Sequence, residues 1–409
     1  MSSTPWKSDK WFTSPWNFAG DVVKDFHFAK KIIFHDVSLR DGEQQAGIAF
    51  SKDQKITLAE KLVEIGIHRI EAGMPAVSPA DAEAIKEIVK RFGKDVDVFA
   101  FSRCMKEDVQ RAVDCGVKGI IVEIPASEHI VKYAYRWEYE KAIELSIEAT
   151  AFARDNGLYT VFFPIDGSRT EINTFIELIK RVEKEGHMDA LGVVDTFGGL
   201  APHACGYLIR KIKEHISKPL EAHFHDDFGL GAANTIMALA AGCEVAHTTI
   251  SGIGERAGNA SYEDIALGLL TMYGVDTGLK YEKFYPLSRT LREFARLNVR
   301  QNRGIVGDLI SNIESGIVAD WYVKAKDETP LELSPYLYSL TGHPDVEVVL
   351  GKSSGLPSID IYLDKIGLSC DNKDTKQEIL AKVKEKSVQI RGLLTIDQFR
   401  EIAGSVLKK

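Results

Sequence analysis

Eight short runs rich in Val, Ile and Phe alternate with long amphipathic segments from Lys31 onward, and this alternation constrains the fold more than any other feature. The runs cover 31–38, 68–75, 96–102, 119–125, 159–166, 191–196, 220–226 and 244–251. Segments such as KDQKITLAEKLVEIG lie between them, with apolar residues at three- and four-residue spacing. Strands separated by helices predict βαβ units and a parallel sheet. No GxGxxG follows the first run, which speaks against an open dinucleotide-binding sheet. Eight even repeats predict an α/β chain closed into a (β/α)8 TIM barrel, with chemistry at the C-terminal ends of the strands.

The remaining quarter breaks the alternation. We expect an N-terminal arm over 1–30, the barrel over 31–280, a linker and helical subdomain over 281–350, and a small C-terminal helical subdomain over 351–409. One helix is expected over 281–300 and irregular chain over 301–350. Three helical patterns follow from Pro357, the last opened by Thr395 and Gln398 at the spacing of a capping box. Trp6, Trp11 and Trp16 make the arm apolar, so it is expected to dock on the barrel or on a neighbouring subunit, in a homodimer or higher oligomer.

Composition narrows the setting. Of 409 residues, 44% are hydrophobic and 27% charged, the balance of an ordinary globular protein. A net charge of −8 with no long basic run excludes nucleic acid as the expected partner. No stretch reaches the roughly 20 apolar residues of a membrane span. The first 18 residues lack the apolar core of a signal peptide, and five scattered cysteines form no CxxC. A cytoplasmic protein with reduced thiols is expected.

Polar residues gather where the strands end. The first run leads into Ser38-Leu39-Arg40-Asp41-Gly42-Glu43-Gln44, the second reaches Glu71, the sixth ends in Asp195-Thr196, and the seventh carries His223 and His225. His223 and His225 share one face of a strand because side chains alternate with period two. Two imidazoles with a carboxylate from strand one suit Mn²⁺, Zn²⁺, Fe²⁺, Co²⁺ or, less readily, Mg²⁺. Glu123 on the fourth run points either into this site or into a structural role. His35, His247 and Thr249 read as barrel-interior residues, and Cys104, Cys115 and Cys243 as inert fillers. Asp226 and Asp227 are placed to fix ligand orientation, while Gly229, Gly231 and Gly258 suit tight turns.

LRDGEQ (39–44), IEAGMP (70–75), HFHDDFGLGAAN (223–234) and GERAGN (254–259), in that order on those strands, resemble the DRE-TIM metallolyase superfamily. GERAGN with DTFG (195–198) most resembles its Claisen-condensing branch, the isopropylmalate, homocitrate and citramalate synthases. The resemblance implies that Asp41, His223 and His225 bind a divalent metal, Mn²⁺, Mg²⁺ or Zn²⁺, with Asn259 joining or approaching it. It implies that Arg40 holds the substrate's carbonyl oxygen or carboxylate. Glu71 would orient Arg40 or a metal-bound water, and Thr196 would hydrogen-bond the carboxylate of a 2-oxo acid. Arg103 is a further candidate for a substrate carboxylate, or pairs with a surface acid. The expected reaction joins an acyl-CoA, acetyl-CoA foremost, to a 2-oxo acid and releases CoA. A metal-chelated 2-oxo acid has a polarised carbonyl, and a guanidinium aimed at the same oxygen adds fixed positive charge.

Three departures from the pattern bear on the enolising base. Ile165 stands where the synthases carry an acid before Asp166, Val318 stands where a histidine follows SGI, and Ser353 replaces the histidine of GKHSG. Between strands three and four there is no histidine in the place homocitrate synthases use, and too little chain follows GKSSG for a long allosteric domain. Two other readings remain. One is a lyase or aldolase cleaving a 3-hydroxy acid or its thioester, although SGIGERAGN lacks the cysteine of 3-hydroxyacyl-CoA lyases. The other is a barrel retained for binding alone.

Overall fold

The structure, a computed structural model that describes residues 4–407, closes eight parallel strands into a barrel in sequence order. The strands are β1 (Ile33–Asp36), β2 (Arg69–Glu71), β3 (Asp97–Arg103), β4 (Gly119–Pro125), β5 (Tyr159–Ile165), β6 (Ala190–Asp195), β7 (Leu220–Phe224) and β8 (Val245–Thr248). The helices that follow them are α1 (Lys52–Ile65), α2 (Pro79–Phe92), α3 (Lys106–Asp114), α4 (Tyr139–Asp155), α5 (Ile172–Glu185), α6 (Pro202–Lys213), α7 (Gly231–Ala240) and α8 (Tyr262–Tyr273). Closure comes from β1 pairing β8, with Ile33 opposite Val245 and Asp36 opposite Thr248. This is the TIM barrel expected from the alternation. Helix starts follow local chemistry: Ser51 and Gln54 exchange hydrogen bonds of 3.2 and 2.9 Å in a capping box, and Ser78 caps α2 ahead of Pro79.

Several strands are shorter than their runs. β7 stops at Phe224, so His225 lies outside the ladder and is held by an isolated bridge to Asn259. His225 N still donates to Asp195 O (3.3 Å), but β6 ends at Asp195 and offers no strand beyond it to continue the ladder.

Contacts resolve the chain into two compact units, residues 15–299 and a second that joins the segment before Pro15 to that from Arg300 onward. In the first, the helix after the barrel, α9 (Phe284–Ala295), is shorter than the helix expected over 281–300: a 3₁₀ turn precedes it, and Arg296 in left-handed conformation (φ 52°) ends it. Phe26 and Phe28 of the arm meet the Tyr273 ring at centroid distances of 5.8 and 5.7 Å. Trp16 is 78% exposed on this chain, so of the two dockings expected for the arm, the one on the barrel does not bury this ring.

In the second unit, Phe12 N donates to Pro335 O (2.9 Å) and Leu337 N to Lys10 O (2.8 Å), so the start of the arm pairs with this unit. Its elements are β9 (Asn312–Ile313), α10 (Gly316–Ala325), β10 (Glu347–Val348), α11 (Leu356–Lys365), α12 (Lys373–Ile390) and α13 (Ile396–Leu407). Helix α10 lies inside the stretch expected to be irregular. Its apolar residues are split between a buried side (Ala319, Ala325) and an exposed one (Ile317, Trp321), which blurs the helical period. The last three helices enclose Ile359, Leu363, Ile379, Val383, Phe399 and Ala403, and Thr395 and Gln398 exchange hydrogen bonds of 3.0 and 3.3 Å ahead of α13. No helix among the described residues is long and apolar enough to cross a membrane. The five cysteines are unpaired, and burial pushes the thiols of Cys104, Cys115, Cys205 and Cys243 up.

The barrel interior is divided by chemistry. Strands β3 to β6 fill it with Phe99, Phe101, Ile121, Val161, Phe163, Ala190 and Val194. Strands β7, β8, β1 and β2 contribute Glu221, His223, His247, His35 and Glu71, all buried. The Phe163 ring bridges the halves, edge-on to Phe101 at 6.0 Å and to His223 at 5.0 Å. Room for that ring comes from Gly192 on β6, where a Cβ would lie 2.6 Å from Phe163 Cδ2. Gly192→Val should therefore destabilise by about 1–3 kcal/mol, the range for overpacking a filled core. Chemical denaturation measures this, and an unchanged midpoint would show that the ring moves aside without cost.

Candidate active site

Beyond β1 the chain makes a tight turn in which Ser38 N bonds Asp36 Oδ1 (2.9 Å), while Arg40 N and Gly42 N both bond Val37 O (3.1 Å each). This turn sends Arg40 and Asp41 back over the barrel axis, 8% and 3% exposed. Arg40 Nε donates to Glu71 at the end of β2, and Nη1 to Asp41 Oδ2 (2.7 Å) and Gln44 Oε1 (3.4 Å). Its guanidinium lies 4.1 Å from the centroid of Phe101. Nη2 is buried with no hydrogen-bond partner among the described residues. Burial alone would weaken the Arg40 charge, but Glu71 and Asp41 more than restore it. Burial also works against ionised Asp41, yet the Arg40 charge holds its carboxyl well below the usual range.

His223 and His225 complete the cluster expected from sequence. One ligand-capable atom from each of Asp41, His223 and His225 lies within 4.8 Å of the others, and all three residues are buried. Asn259, after β8, donates from Nδ2 to Asp41 Oδ1 (2.8 Å), and its Oδ1 is buried without a partner. Gly254 lets that amide approach: at φ 152° a Cβ there would strike Asn259 and come within 3.2 Å of Asp41 Oδ1. Burial lowers the His223 pKa to about 3, against the raising effect of Asp41, so its ring is neutral.

A polar column runs down from His223 into the barrel. His223 Nδ1 is 3.3 Å from His247 Nδ1, and His247 Nε2 is 2.7 Å from Glu221 Oε2. Burial would raise Glu221, but the bond from His247 and the charge of Arg69 pull it down to about 2. An ionised Glu221 only accepts, so for neutral rings His247 Nε2 donates and its Nδ1 accepts from His223 Nδ1. That chain leaves the His223 Nε2 lone pair facing Asp41 Oδ2, 3.5 Å away. His225 Nδ1 reaches Gly258 O (3.2 Å), which likewise leaves its Nε2 open. Glu221 was not singled out in the sequence, although Glu221, His223 and His225 share one strand face at spacing two.

The other candidates are placed as follows. Thr196 Oγ1 accepts from Asp166 N (2.7 Å), which leaves its proton available to donate. Arg103 is forked onto Asp108 (2.7 and 3.1 Å). Asp227 pairs with Arg256 (2.9 and 3.0 Å), and Asp226 Oδ1 caps Gly231 N (2.6 Å). Asp166 is gripped by Arg169 (2.6 and 3.0 Å), a pair without a sequence signal because the two residues sit in one tight 3₁₀ turn. Glu123, half-buried, extends β4 two residues beyond inward-facing Ile121. Burial pushes its carboxyl up to about 7, opposed by Arg40 and Arg103.

A barrel whose mouth concentrates a buried arginine, a carboxylate and two imidazoles defines a TIM-barrel enzyme with a candidate metal centre. The chain belongs to the HMGL-like family, which it matches over residues 31–291, and within it to the Claisen-condensing branch. It is 36% identical over 383 residues to homocitrate synthase AksA of Methanocaldococcus jannaschii, covering 93% of this chain and 92% of that protein. To (R)-citramalate synthase CimA of the same organism it is 34% identical over 379 residues, covering 91% and 75%. In fold it is similar to the HMG-CoA lyase of Bacillus subtilis, with TM-score 0.60, 22% identity, and coverage of 66% of this chain and 96% of that one.

Removing Glu71 strips Arg40 of one of its two buried carboxylates. Glu71→Ala should cost about 3 kcal/mol, the lower end for breaking a buried pair because Asp41 remains. Replacing the whole buried set in Arg40→Met/Asp41→Leu/Glu71→Leu should recover most of that loss. Urea denaturation reads both variants, and a triple variant no more stable than the single one would refute the account.

Proposed function

We propose that the protein condenses acetyl-CoA with a 2-oxo acid, in a reaction that depends on a divalent metal, to give a 2-hydroxy dicarboxylic acid and CoA. The observation that carries this reading is the buried, unpartnered Nη2 of Arg40 beside the Asp41–His223–His225 cluster. A hydrogen-bond donor left over in a dry, charged pocket is costly unless a ligand oxygen completes it. The activities in the relatives' names, homocitrate and citramalate synthesis, agree with it.

The donor set fits a divalent cation. Asp41 is ionised, His223 neutral, their oxygen and nitrogen lone pairs face each other, and Asn259 Oδ1 lacks a partner. Asp41, His223 and His225 would hold the ion, with Asn259 beside them. Bound there, it would polarise the keto group of the 2-oxo acid. Arg40 Nη2 donates to the oxygen on which negative charge develops, Glu71 holds that guanidinium in aim, and Thr196 donates its hydroxyl proton to the substrate carboxylate.

Thiol release measures the reaction. Acetyl-CoA with Mn²⁺ or Mg²⁺ and, in turn, pyruvate, glyoxylate, 2-oxoisovalerate, oxaloacetate and 2-oxoglutarate should give CoA with one acceptor. Asp41→Asn should lower the rate by about 100-fold or more, by analogy with loss of one charge-stabilising group, and should weaken Mn²⁺ binding seen by electron paramagnetic resonance. Silence across the panel, or an Asp41→Asn variant with wild-type turnover, refutes the reading.

A further inference from the structure

We propose that Glu123 is the base that removes the α-proton of the acyl thioester, an inference that rests on the condensation proposed above. A condensation of this kind needs a carboxylate or equivalent group at the mouth that is not already neutralised. The acids of the site described above are otherwise committed. Asp41 and Glu71 are tied to Arg40, Asp166 to Arg169, and Asp227 to Arg256. Asp195 accepts from Ser168 Oγ (2.6 Å), Gly199 N (3.1 Å) and Leu200 N (3.0 Å).

Glu123 differs from all of these. Among the described residues its carboxylate takes part in no hydrogen bond or ion pair, although its backbone O accepts from Cys104 N (3.0 Å). It follows Ile121 on the inward face of β4, in register with Arg103 on β3 and with Phe163 on β5. Phe163 abuts His223, and Phe101, in register with Ile121, carries Arg40. Glu123 therefore stands level with Phe163 and one step nearer the mouth than Phe101, the ring that carries Arg40. The end of β5, next to it in the barrel, carries apolar Ile165 where the resembling synthases carry an acid. The acid of this site has thus moved by one strand.

The surroundings suit proton transfer. Arg40 from the β1 turn, Arg103 and Cys104 at the end of β3, and Tyr135 from the segment after β4 are the ionisable groups that face Glu123. Arg103 is engaged by Asp108, and Arg40 by its two carboxylates, which leaves burial as the largest influence, raising the carboxyl to about 7. A base that titrates near the working pH is the effective kind.

In the step, a Glu123 carboxylate oxygen takes a proton from the carbon next to the thioester carbonyl. The C–H pair becomes the enolate, whose carbon bonds the 2-oxo carbon while the C=O π pair moves onto oxygen. That oxygen takes up one proton and Glu123 gives one up, so the transfer balances. Water then adds to the thioester carbonyl, and the thiol leaves with a proton.

Three proteins test it: wild type, Glu123→Gln and Glu123→Asp. Measured are kcat and kcat/KM across pH, exchange of the acetyl protons of acetyl-CoA into D₂O by NMR, and dissociation constants for Mn²⁺ and the 2-oxo acid. Glu123→Gln should lower kcat and proton exchange by about 100-fold or more and remove the limb of the pH profile near 7. Both dissociation constants should stay within about threefold, since general-base loss spares ground-state binding. Glu123→Asp should keep the limb and part of the rate, so a folding failure of the Gln variant leaves this arm decisive. Wild-type exchange and an unchanged limb in Glu123→Gln, or no limb in Glu123→Asp, overturn the assignment while leaving the condensation standing. A wild type that releases no thiol with any 2-oxo acid overturns both.

Discussion

The ion-pair network around Arg40 is the constraint on which the rest of the site depends. A guanidinium this deep in a barrel persists only with carboxylates to match it, and Glu71 and Asp41 supply them from the ends of β2 and β1. The pairing has consequences in both directions. It keeps Asp41 ionised despite burial, and it fixes the guanidinium plane on Phe101 so that one nitrogen remains unsatisfied. Asn259 and Gly254 then matter because Asp41 is where it is.

The polar half of the barrel extends this order downward. Arg69 Nη1 binds Glu221 Oε1 (2.7 Å) at the floor, Glu221 binds His247, and His247 meets His223. Each bond selects the donor and acceptor of the next, so a charge near the bottom of the barrel determines which nitrogen His223 presents at the top. The apolar half, from Phe99 to Val194, provides the rigid packing against which the column is held.

Family membership and local departure coexist in this chain. The Arg40–Asp41–Glu71 and His223–His225 groups stand together, while Ile165, Val318 and Ser353 are neutral where the resemblance leads one to expect ionisable groups. The three positions fall in different units of the chain. Ile165 closes β5 at the barrel mouth, whereas Val318 lies on α10 and Ser353 beside Glu314 in the second unit, where Ser353 N donates to Glu314 Oε1 (2.8 Å).

Much was legible in the amino-acid sequence because it depends on local periodicity. Alternating β-branched runs and amphipathic segments dictate eight strand–helix units, and strand ends place Arg40, Glu71, Thr196 and His223 at one face of the barrel. Spacing of two puts His223 and His225 side by side, and Thr395 with Gln398 marks the last helix. Helix α10 escaped because its apolar residues do not keep to one face, and β7 ended early because β6 stops at Asp195. What no local pattern carries is partnership across the barrel. That Arg103 is taken by Asp108, Asp166 by Arg169, and Glu123 by nothing follows from side-chain reach between loops and strands. The sequence by itself determined the order of elements and the end of the barrel where function gathers. Only the tertiary structure decided which charges cancel and which stay open, because Coulomb pairing and burial depend on distances that chain order does not contain.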